Sequence, residues 1–315
     1  MTISVLVPTY RRPDRLRRCL EALAAGERLP DQTVVTVRED DTPSQDALSQ
    51  CQRVLRGLKL ELATVDRPGQ PAAINEGLKL ASGAVLCFID DDVEVHRDWL
   101  RRIEERFGDP SVGGVGGRDI IFEGGQRWPD EPTESVGRLT WYGRRTGNHH
   151  KVIAGDEPRD VQHLKGCNMA FRRGFVEGFD EHFIGAPSLN DTDVSLTVAK
   201  KGARLVYDPL IRVDHHLAER PFSGGRSYVH PAPILDHSHN ATYCMLKHLH
   251  PWARPVFIAY MLLLGQATGL GILRLLVNTL RGHLRGPARQ FGAHYGGVWA
   301  GLRTYLRARR RPPSA

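Results

Sequence analysis

The chain has 315 residues, 41% hydrophobic and 25% charged, which is typical of a globular protein with its own core. Its net charge of +7 is unevenly divided: residues 237–315 contain eleven Lys and Arg and no Asp or Glu, so residues 1–236 carry −4. A nucleic-acid enzyme would surround its site with basic side chains, so this acidic body predicts no nucleic-acid partner. The basic tail instead fits the anionic surface of a membrane.

The five cysteines lie far apart without a CxxC pair, which argues against a zinc ribbon or a redox motif. Cys19 and Cys51 fall on apolar faces of predicted helices and Cys87 lies in an apolar strand, so we expect reduced core thiols in a reducing compartment. The first residues have the pattern of a strand rather than of a signal peptide. We therefore expect a cytoplasmic protein.

The first 107 residues alternate between the patterns of strands and helices. This alternation predicts an α/β fold with a parallel sheet covered on both faces, and such sheets bind ligands at the carboxyl ends of their strands. The predicted strands are 3–7, 33–37, 59–65 and 84–89, and the predicted helices are 13–25, 44–55, 71–81 and 99–107.

The pattern changes after residue 112. From Gly113 to about His163 the sequence is rich in glycine and irregular, which predicts loops and short strands. Regular patterns return later in the chain, and an apolar, helical C-terminal region closes it. They are a strand-like segment at 165–172, a helix at 191–201, strands at 204–207 and 210–213, and a turn-rich connection at 221–233.

The apolar strand at 84–89 runs directly into three acidic residues, Asp90, Asp91 and Asp92. Adjacent carboxylates at the mouth of a buried strand repel one another, so we expect a cation to compensate them. Because side chains alternate along a strand, Asp90 and Asp92 share a face and suit a hard divalent cation that also contacts phosphate oxygens. The alternative is a solvated acidic turn.

A second acidic group, Glu39, Asp40 and Asp41, follows the strand at 33–37. Carboxylates at a strand end can accept hydrogen bonds from a base N–H or from ribose hydroxyls. The alternative is a turn and a helix cap before Ser44.

Two further groups have possible catalytic chemistry. Residues 190–193 (NDTD) open the helix predicted at 191–201, where Asn190 or Asp191 is by default an N-cap, although a carboxylate here could also act as a general base. The His215-His216 pair follows a strand, and neutral imidazole is a ready metal ligand. Histidines of the surface or core are nevertheless more common.

Taken together and in this order, several segments resemble the family-2 glycosyltransferases, which have the GT-A fold. Residues 5–12 (VLVPTYRR) are similar to that family's first strand and its following turn, and residues 67–77 (RPGQPAAINEG) to its N-x-G-x-x-A-A-R-N-x-G segment. The acidic triplet corresponds to the family's DxD motif. The later similar segments are 165–173, 179–183 (FDEHF), 190–193, 202–209 and 213–215, so the resemblance covers about residues 1–217.

The resemblance implies a nucleotide-diphospho-sugar transferase whose mainly parallel sheet is flanked by helices. Asp191 would deprotonate the acceptor hydroxyl for attack on the anomeric carbon with inversion, Asp92 would ligate Mg²⁺ or Mn²⁺, and His215 could complete the metal site. The cation would act as a Lewis acid toward the leaving diphosphate. The residues implied to lie around the donor are Pro8, Thr9, Tyr10, Arg11, Glu39, Asp40, Asp41, Arg67, Asn75, Asp90 and Asp91.

The chain departs from the family pattern at three places. Ile74 replaces the Arg of the A-R-N segment, and Asn190 replaces the Glu before the base. The Q-x-x-R-W motif of processive polysaccharide synthases is missing, and residues 224–227 (GGRS) occupy that region, which favours transfer of a single sugar.

Two alternatives to a glycosyltransferase remain open from the sequence. A nucleotidyltransferase also combines an α/β sheet with carboxylate-bound Mg²⁺, but it would normally have a Gly-rich basic N-terminal loop. A catalytically decayed nucleotide-sugar-binding protein would explain Ile74 and Asn190, whereas the intact Asp92 and Asp191 argue against it.

The 19 uncharged residues at 255–273 are just long enough to cross a bilayer. Gly265, Gln266 and Gly269 dilute the hydrophobicity of this segment, and basic residues flank both of its ends. A helix in or against the membrane interface is therefore favoured over a soluble packed helix and over a true span.

The sequence thus predicts a GT-A catalytic domain at 1–220, with a donor half at about 1–112 and an acceptor half at about 113–220, and a basic helical extension at 221–315. We expect an inverting transferase of the hexosyltransferase type, with a UDP-sugar as the favoured donor and a glycan or lipid-linked acceptor. Residues 237–315 would provide peripheral contact with the inner face of the membrane.

Overall fold

The structure is a computed structural model that describes residues 1–185, 188–217, 231–266, 269–281 and 285–310. The chain divides into two compact units. The first consists of Met1–Arg138, Arg145–Phe179 and Val194–Ala218, and the second of Leu139–Arg144, Asp180–Asp193 and Glu219–Ala315. The predicted connection at 221–233, apart from its last three residues, and the GGRS segment at 224–227 lie outside the described residues.

The strands and helices predicted for the first 107 residues are confirmed, and each of their bounds lies within two residues of the predicted one. The sequence analysis missed the short strand β5. In chain order the elements are β1 (Ile3–Thr9), α1 (Pro13–Ala24), β2 (Gln32–Arg38), α2 (Thr42–Val54), β3 (Leu60–Val65), α3 (Gln70–Leu80), β4 (Val85–Phe88), β5 (Val93–Val95) and α4 (Trp99–Arg106).

Short strands and two long ones follow. The predicted helix at 191–201 is confirmed as α5, and the two strands predicted at 204–207 and 210–213 are one continuous strand, β14. These elements are β6 (Val112–Glu123), β7 (Gln126–Arg127), β8 (Pro132–Thr133), β9 (Arg138–Leu139), β10 (Arg145–Thr146), β11 (Val152–Ile153), β12 (Arg159–Asp160), β13 (Met169–Arg172), α5 (Asn190–Lys200) and β14 (Arg204–His216).

The described strands of the first unit form a ten-stranded sheet with the order β12-β14-β6-β13-β4-β1-β2-β3, in which β5 pairs with β14 and β7 with β6. Strands β4, β1, β2 and β3 are parallel to one another, as predicted, so their carboxyl ends meet at one edge. Strand β13 is antiparallel to both β4 and β6. His215 of β14 pairs with Val93 of β5, which brings the end of β14 to the residue after the acidic triplet.

The prediction of loops and short strands from Gly113 is wrong as far as Glu123, because β6 is a regular strand of twelve residues. It is confirmed from Gln126 to Asp160, where β7 to β12 have two residues each. The four glycines of β6 hide the strand pattern, yet each of them is required by a close neighbour. A Cβ at Gly117 would lie 1.8 Å from the carbonyl oxygen of Ile211, and one at Gly114 would lie 2.5 Å from the side chain of Leu205. Strand β6 therefore lacks side chains at the positions where its two neighbouring strands, β13 and β14, approach it most closely.

Two apolar layers cover the sheet of the first unit, as the strand–helix alternation predicted. Val5 belongs to one layer, with Trp99 of α4, and its neighbour Leu6 belongs to the other. This alternation follows the period of two in a strand. Ile74 of α3 is 4% exposed and packs in the second layer, so the residue that replaces the family's Arg is a core residue here.

After β14, the described residues of the second unit form the helices α6 (Pro231–His248), α7 (Arg254–Leu263), α8 (Ile272–Leu280) and α9 (Arg285–Ala308). Helices α6 and α9 pack closely, because a Cβ at Gly297 or Gly301 would lie 2.3 Å or 2.5 Å from the carbonyl oxygens of Leu235 and His239. All five cysteines of the chain lie in the described residues, and they are buried free thiols, as predicted.

A charged cluster joins α6 to the segment at 180–193 of the same unit. The Lys247 ammonium lies 2.8 Å from a carboxylate oxygen of Asp180 and 2.9 Å from one of Asp193. Tyr243 donates a hydrogen bond of 2.7 Å to Asp180, and His248 lies 2.7 Å from Asp193.

The uncharged segment at 255–273 is not one helix. Helix α7 ends at Leu263, Gly265 has a φ of 72°, and α8 begins at Ile272. The amide of Gly271 donates to the carbonyl of Leu264 at 3.3 Å, which closes a turn between the two helices. Among the described residues, no helix combines the length and the hydrophobicity that crossing a membrane requires.

Candidate active site

The acidic triplet lies where β4 ends, at the edge of the sheet where the parallel strands have their carboxyl ends. Asp91 and Asp92 are buried and Asp90 is partly buried. Such burial raises the energy of a carboxylate unless hydrogen bonds or cations stabilise it. Each of the three carboxylates therefore needs partners, and the partners differ.

Asp91 is held by the turn that follows β1. One of its carboxylate oxygens accepts a hydrogen bond of 2.7 Å from the Thr9 hydroxyl, and the other accepts one of 3.0 Å from the Arg12 guanidinium. Arg12 also lies 3.8 Å from Asp92. Thr9, which the sequence analysis assigned to the donor, thus uses its hydroxyl to anchor the middle residue of the triplet.

Asp90, Asp92 and His215 could hold a metal ion. One oxygen from each carboxylate and one ring nitrogen of His215 all lie within 4.8 Å of one another. The Nε2 atom of His215 is 3.5 Å from Asp92, and Gln70 donates a hydrogen bond of 2.7 Å to Asp90. The two carboxylates are oxygen ligands that suit Mg²⁺ or Mn²⁺, and a neutral imidazole adds a nitrogen ligand that suits a transition metal such as Mn²⁺ better than Mg²⁺.

The opposite side of the His215 ring faces Asp119 of β6. Asp119 is completely buried, lies 3.7 Å from Nδ1 of His215, and accepts a short hydrogen bond from the Lys165 ammonium. Within the described residues, neither Nδ1 of His215 nor the second oxygen of Asp119 has a hydrogen-bond partner.

A second possible metal group shares His215 and adds Asp119 and Cys167. The Lys165 ammonium already occupies the Asp119 carboxylate, so a cation at this group would be repelled by it. Burial raises the pKa of the Cys167 thiol, which also keeps this side chain a poor metal ligand. The group of Asp90, Asp92 and His215 is therefore the better cation site.

Burial and mutual repulsion shape the protonation of the site. Burial, followed by the charge of Asp92, raises the pKa of Asp90 to about 6. Burial would lower the pKa of His215, but Cys167, Asp119 and Asp92 raise it well above its usual value. Burial would likewise raise the pKa of Asp119, but Lys165 and His215 hold it well below the usual range. The site thus favours positive charge at its centre.

The remaining residues of the turn after β1 form an open surface. The guanidinium groups of Arg11 and Arg38 lie 4.9 Å and 4.5 Å from the centre of the Tyr10 ring, within the range of cation–π contact. The Tyr10 hydroxyl donates to Asp40 at 3.3 Å. Pro8 is the residue before Thr9 in β1 and is partly buried.

Asp41 follows the capping alternative. It is completely buried, and its two oxygens accept hydrogen bonds from the backbone amides of Ser44 at 3.2 Å and Arg11 at 2.5 Å. Asp41 is therefore the N-cap of α2 and also fixes Arg11, which has a φ of 55°. Glu39 is exposed at the end of β2.

The structure gives Arg67 and Asn75 local partners. Arg67 lies 3.1 Å from Glu76. The amide group of Asn75 donates to the carbonyl of Phe179 at 2.8 Å and accepts from its backbone N–H at 2.7 Å. Asn75 thereby holds the segment at Gly178 and Phe179 against α3, a structural contact that the sequence did not indicate.

Asp191 lies in the first turn of α5 and belongs to the second unit. Its carboxylate accepts a hydrogen bond of 2.6 Å from the backbone amide of Thr192. The helix begins at Asn190, so Asp191 follows the first helical residue instead of preceding it.

The sequence analysis missed three residues of the site, Arg12, Lys165 and Asp119. Arg12 and Lys165 lie in the segments 5–12 and 165–173, which resemble the family. Nothing in the sequence shows that their charges meet the buried carboxylates. Asp119 stood in the glycine-rich stretch. Partly buried and buried residues alternate from Arg118 to Ile121 within β6, and this period of two would have been a detectable sign.

Comparison with known proteins places this geometry in a family. The model of Glycosyl transferase family 2 matches residues 4–179, which is more than half of the chain. The O-antigen biosynthesis protein RfbC of Myxococcus xanthus is 29% identical over 238 residues, covering 68% of this chain and 17% of that protein. The pre-mycofactocin glycosyltransferase of Mycobacterium tuberculosis is 26% identical over 239 residues, covering 71% of this chain and 46% of that protein. The chain thus spans less than half the length of either relative.

Solved structures support the fold. A crystal structure of GalNAc-T7 with UDP, GalNAc and Mn²⁺ has a TM-score of 0.66 at 16% identity, covering 90% of this chain and 54% of that one. The mannosyltransferase PcManGT from Pyrobaculum calidifontis, in complex with GDP-Man and Mn²⁺, has a TM-score of 0.58 at 18% identity, covering 96% and 86%. The predicted GT-A fold with additional C-terminal helices is confirmed. The acidic triplet at the end of β4 and the family match together show that this chain belongs to Glycosyl transferase family 2.

Proposed function

We propose that the chain is an inverting glycosyltransferase that moves a hexose from a nucleotide-diphosphate donor to a hydroxyl of a glycan or lipid-linked glycan. The observation that carries the proposal is the convergence of Asp90, Asp92 and His215 at the carboxyl ends of the parallel strands. A UDP-sugar is the favoured donor. Neighbours solved with UDP and with GDP-Man support a nucleotide-sugar donor of either kind.

The charges of the site support a divalent cation. Asp90, Asp91, Asp92 and Asp119 form a group of four carboxylates, and Arg12 and Lys165 balance two of them. A divalent cation held by Asp90, Asp92 and the neutral ring of His215 would displace the ring proton and balance the other two carboxylates. When bound, Mg²⁺ or Mn²⁺ would supply a Lewis acid for the donor diphosphate.

The chain's own residues then have distinct roles. Thr9 and Arg12 hold Asp91, which keeps the end of β4 in place beside the turn after β1. The nucleoside would contact one aromatic ring and several charged side chains, which belong to Tyr10, Arg11, Glu39, Asp40 and Arg67. Asp191 accepts the proton of the acceptor hydroxyl, a role that rests on its place in the family's motif.

The residues at 1–220 would form the catalytic domain, with a donor half at 1–112 and an acceptor half at 113–220. The basic extension at 221–315 would hold this domain at the inner face of the membrane, where a lipid-linked acceptor is found. The absence of acidic residues from 237 to 315 supports this location.

The Asp92→Asn substitution tests the metal site. Because one ligand is lost, we expect the affinity for UDP in the presence of Mn²⁺ to fall at least about tenfold in calorimetric titrations. Asp14→Asn is the matched control, since the Asp14 side chain is 86% exposed on α1. Equal Mn²⁺-dependent affinity in the Asp92 variant and the wild type would refute the assignment.

Asp191→Asn separates binding from chemistry. We expect this variant to retain the thermal stabilisation that UDP and Mn²⁺ confer, and to lose sugar transfer to a membrane-lipid extract. A thermal-shift panel of nucleotides and nucleotide-sugars identifies the donor in the same assay. Stabilisation by nucleoside triphosphates alone would favour a nucleotidyltransferase instead.

A further inference from the structure

The exposed surface of helices α7 and α8 is apolar. On α7 the side chains of Val256 and Leu263 are 41% and 45% exposed. On α8, Ile272, Leu276, Val277 and Leu280 are 40%, 53%, 46% and 87% exposed. We call these six residues the α7–α8 surface.

Helix α8 has no buried side chain along its whole described length of nine residues. A globular helix normally buries one apolar stripe against a core, and this stripe is what stabilises it. Large contiguous apolar surfaces on soluble proteins mark sites of interaction with another surface. We therefore expect another surface to cover the apolar side chains of helix α8.

The surroundings of the α7–α8 surface are basic. Arg274 lies exposed within α8, Arg281 follows its last residue, and no acidic residue occurs from 237 to 315. Two copies of this surface would bring like charges together, which opposes self-association. An apolar face bordered by arginines suits an anionic lipid surface.

Exposed tryptophans lie in the same unit. The rings of Trp141 and Trp252 are 58% and 60% exposed, with their centres 5.4 Å apart. Trp252 lies two positions before Arg254, the first residue of α7, and Val256 follows Trp252 by four residues. Amphipathic rings of this kind prefer the boundary between head groups and acyl chains.

The break between the two helices leaves each of them short compared with the thickness of a bilayer. The turn at Gly265 divides the apolar segment into helices of ten and nine residues. At 1.5 Å per residue, each is about half as long as the hydrocarbon core of a bilayer. Neither helix can therefore cross a bilayer by itself, which suits contact with one leaflet.

We infer that the α7–α8 surface inserts into the head-group boundary of an anionic membrane, with α8 as its principal contact. This inference rests on the proposed location of the enzyme at the membrane and names the residues that make the contact. The sequence analysis had placed the interfacial helix at 255–273, and the inference shifts its centre to α8.

The test uses the full chain and sedimentation with vesicles. The vesicles are phosphatidylcholine alone or phosphatidylcholine mixed with phosphatidylglycerol. We expect the wild type to bind the mixed vesicles and not the neutral ones, and Leu276→Asp/Leu280→Asp to reduce the partition coefficient about tenfold or more. The matched control is Val54→Asp/Leu80→Asp, which places the same charges at positions 77% and 43% exposed in the first unit.

Three results would overturn the inference. They are failure of the wild type to bind mixed vesicles, equal binding of the α8 variant and the control, and a wild-type dimer that the α8 variant dissociates without any vesicle binding. The single substitution Leu280→Asp repeats the test if the double variant has a lowered melting temperature.

The same proteins are titrated with UDP and Mn²⁺ in the absence of lipid. Retained nucleotide binding with no vesicle binding defeats this inference alone. Vesicle binding with no nucleotide binding defeats the proposed donor instead. The two failures are thus distinguishable.

Discussion

His215 has carboxylates on both sides of its ring, and they serve different purposes. Asp92 would share the proposed cation site with it, whereas Asp119 is paired with Lys165 and faces the other ring nitrogen. A carboxylate behind a metal-binding histidine orients the ring and increases its basicity. Asp119 is thus a positioning residue that acts on the site through His215.

The substitution Asp119→Asn tests this role. We expect the affinity for Mn²⁺ to fall about 10- to 100-fold, because His215 loses the charge that orients it. Electron paramagnetic resonance of free Mn²⁺ measures the change without any enzymatic turnover. Asp130→Asn, which removes an exposed partner of Arg118 and Arg127, should leave the affinity unchanged. An equal loss in both variants would contradict the positioning role.

Single residues were predictable only where their local sequence determined their partner. The acidic group at 39–41 offered a helix cap before Ser44 as one alternative, and Asp41 is the member of the group that caps α2. The partners of Asp119 and Lys165 come from strands that are distant in sequence, so no local pattern could reveal them. The same holds for Arg12 and its contact with Asp91.

At the scale of elements, the glycines of β6 determine how closely its neighbours can approach. Gly117→Ala would force a Cβ against the backbone oxygen of Ile211, and backbone cannot move aside as a flexible side chain can. We expect a loss of about 3 kcal/mol in the free energy of unfolding. Urea denaturation measures it.

The control for this prediction is Gly174→Ala. A Cβ at Gly174 would meet nothing within 4 Å, and its φ is not in the left-handed region, so we expect its stability to stay close to that of the wild type. Similar stability of the two variants would show that β14 can shift away from β6.

The cluster on α6 predicts how stability depends on pH. Burial would raise the pKa of Asp180, but the ammonium of Lys247 and the hydroxyl of Tyr243 hold it well below its usual value. A lowered folded-state pKa contributes stability above the unfolded pKa of about 3.9, and this contribution is lost as the pH falls below that value. The cluster should therefore weaken in acid.

Lys247→Met removes the cation from this cluster. We expect about 3 kcal/mol lower stability at pH 7, since Asp180 and Asp193 lose their shared partner, and a smaller additional loss than in the wild type when the pH falls from 4 to 3. Urea denaturation at each pH is the measurement. Lys79→Met, at an exposed pair with Glu76, should cost less than about 1 kcal/mol. Parallel pH profiles for wild type and Lys247→Met would contradict the assignment.

Periodic elements were predictable because their burial follows the sequence directly. Helices α1 to α4 and strands β1 to β4 show this, each with a regular apolar pattern. Strand β6 was missed because glycine carries no side chain and so leaves no pattern. The break between α7 and α8 depends on the backbone conformation at Gly265. This conformation cannot be deduced from the hydrophobicity of the segment.

For the whole molecule, the sequence predicted the GT-A fold because several motifs stood in the family's order. It did not predict the division of the chain into units, since the segments at 139–144 and 180–193 belong with the C-terminal helices. Which segments pack together depends on contacts such as that of Lys247 with Asp180. No composition change marks those segments in the sequence.

The burial of Asp119 beside Lys165 has a consequence for handling the protein. Ionic strength screens exposed charges, with a Debye length of about 8 Å at physiological salt and about 3 Å at 1 M, but it reaches buried pairs much less. Arg274 within α8 and Arg281 directly after it are exposed, whereas Asp119 is completely buried. A concentrated salt wash should therefore release the chain from anionic membranes. It should leave the buried pair of Asp119 and Lys165 beside His215 intact, and Mn²⁺ titration of the washed protein would verify this.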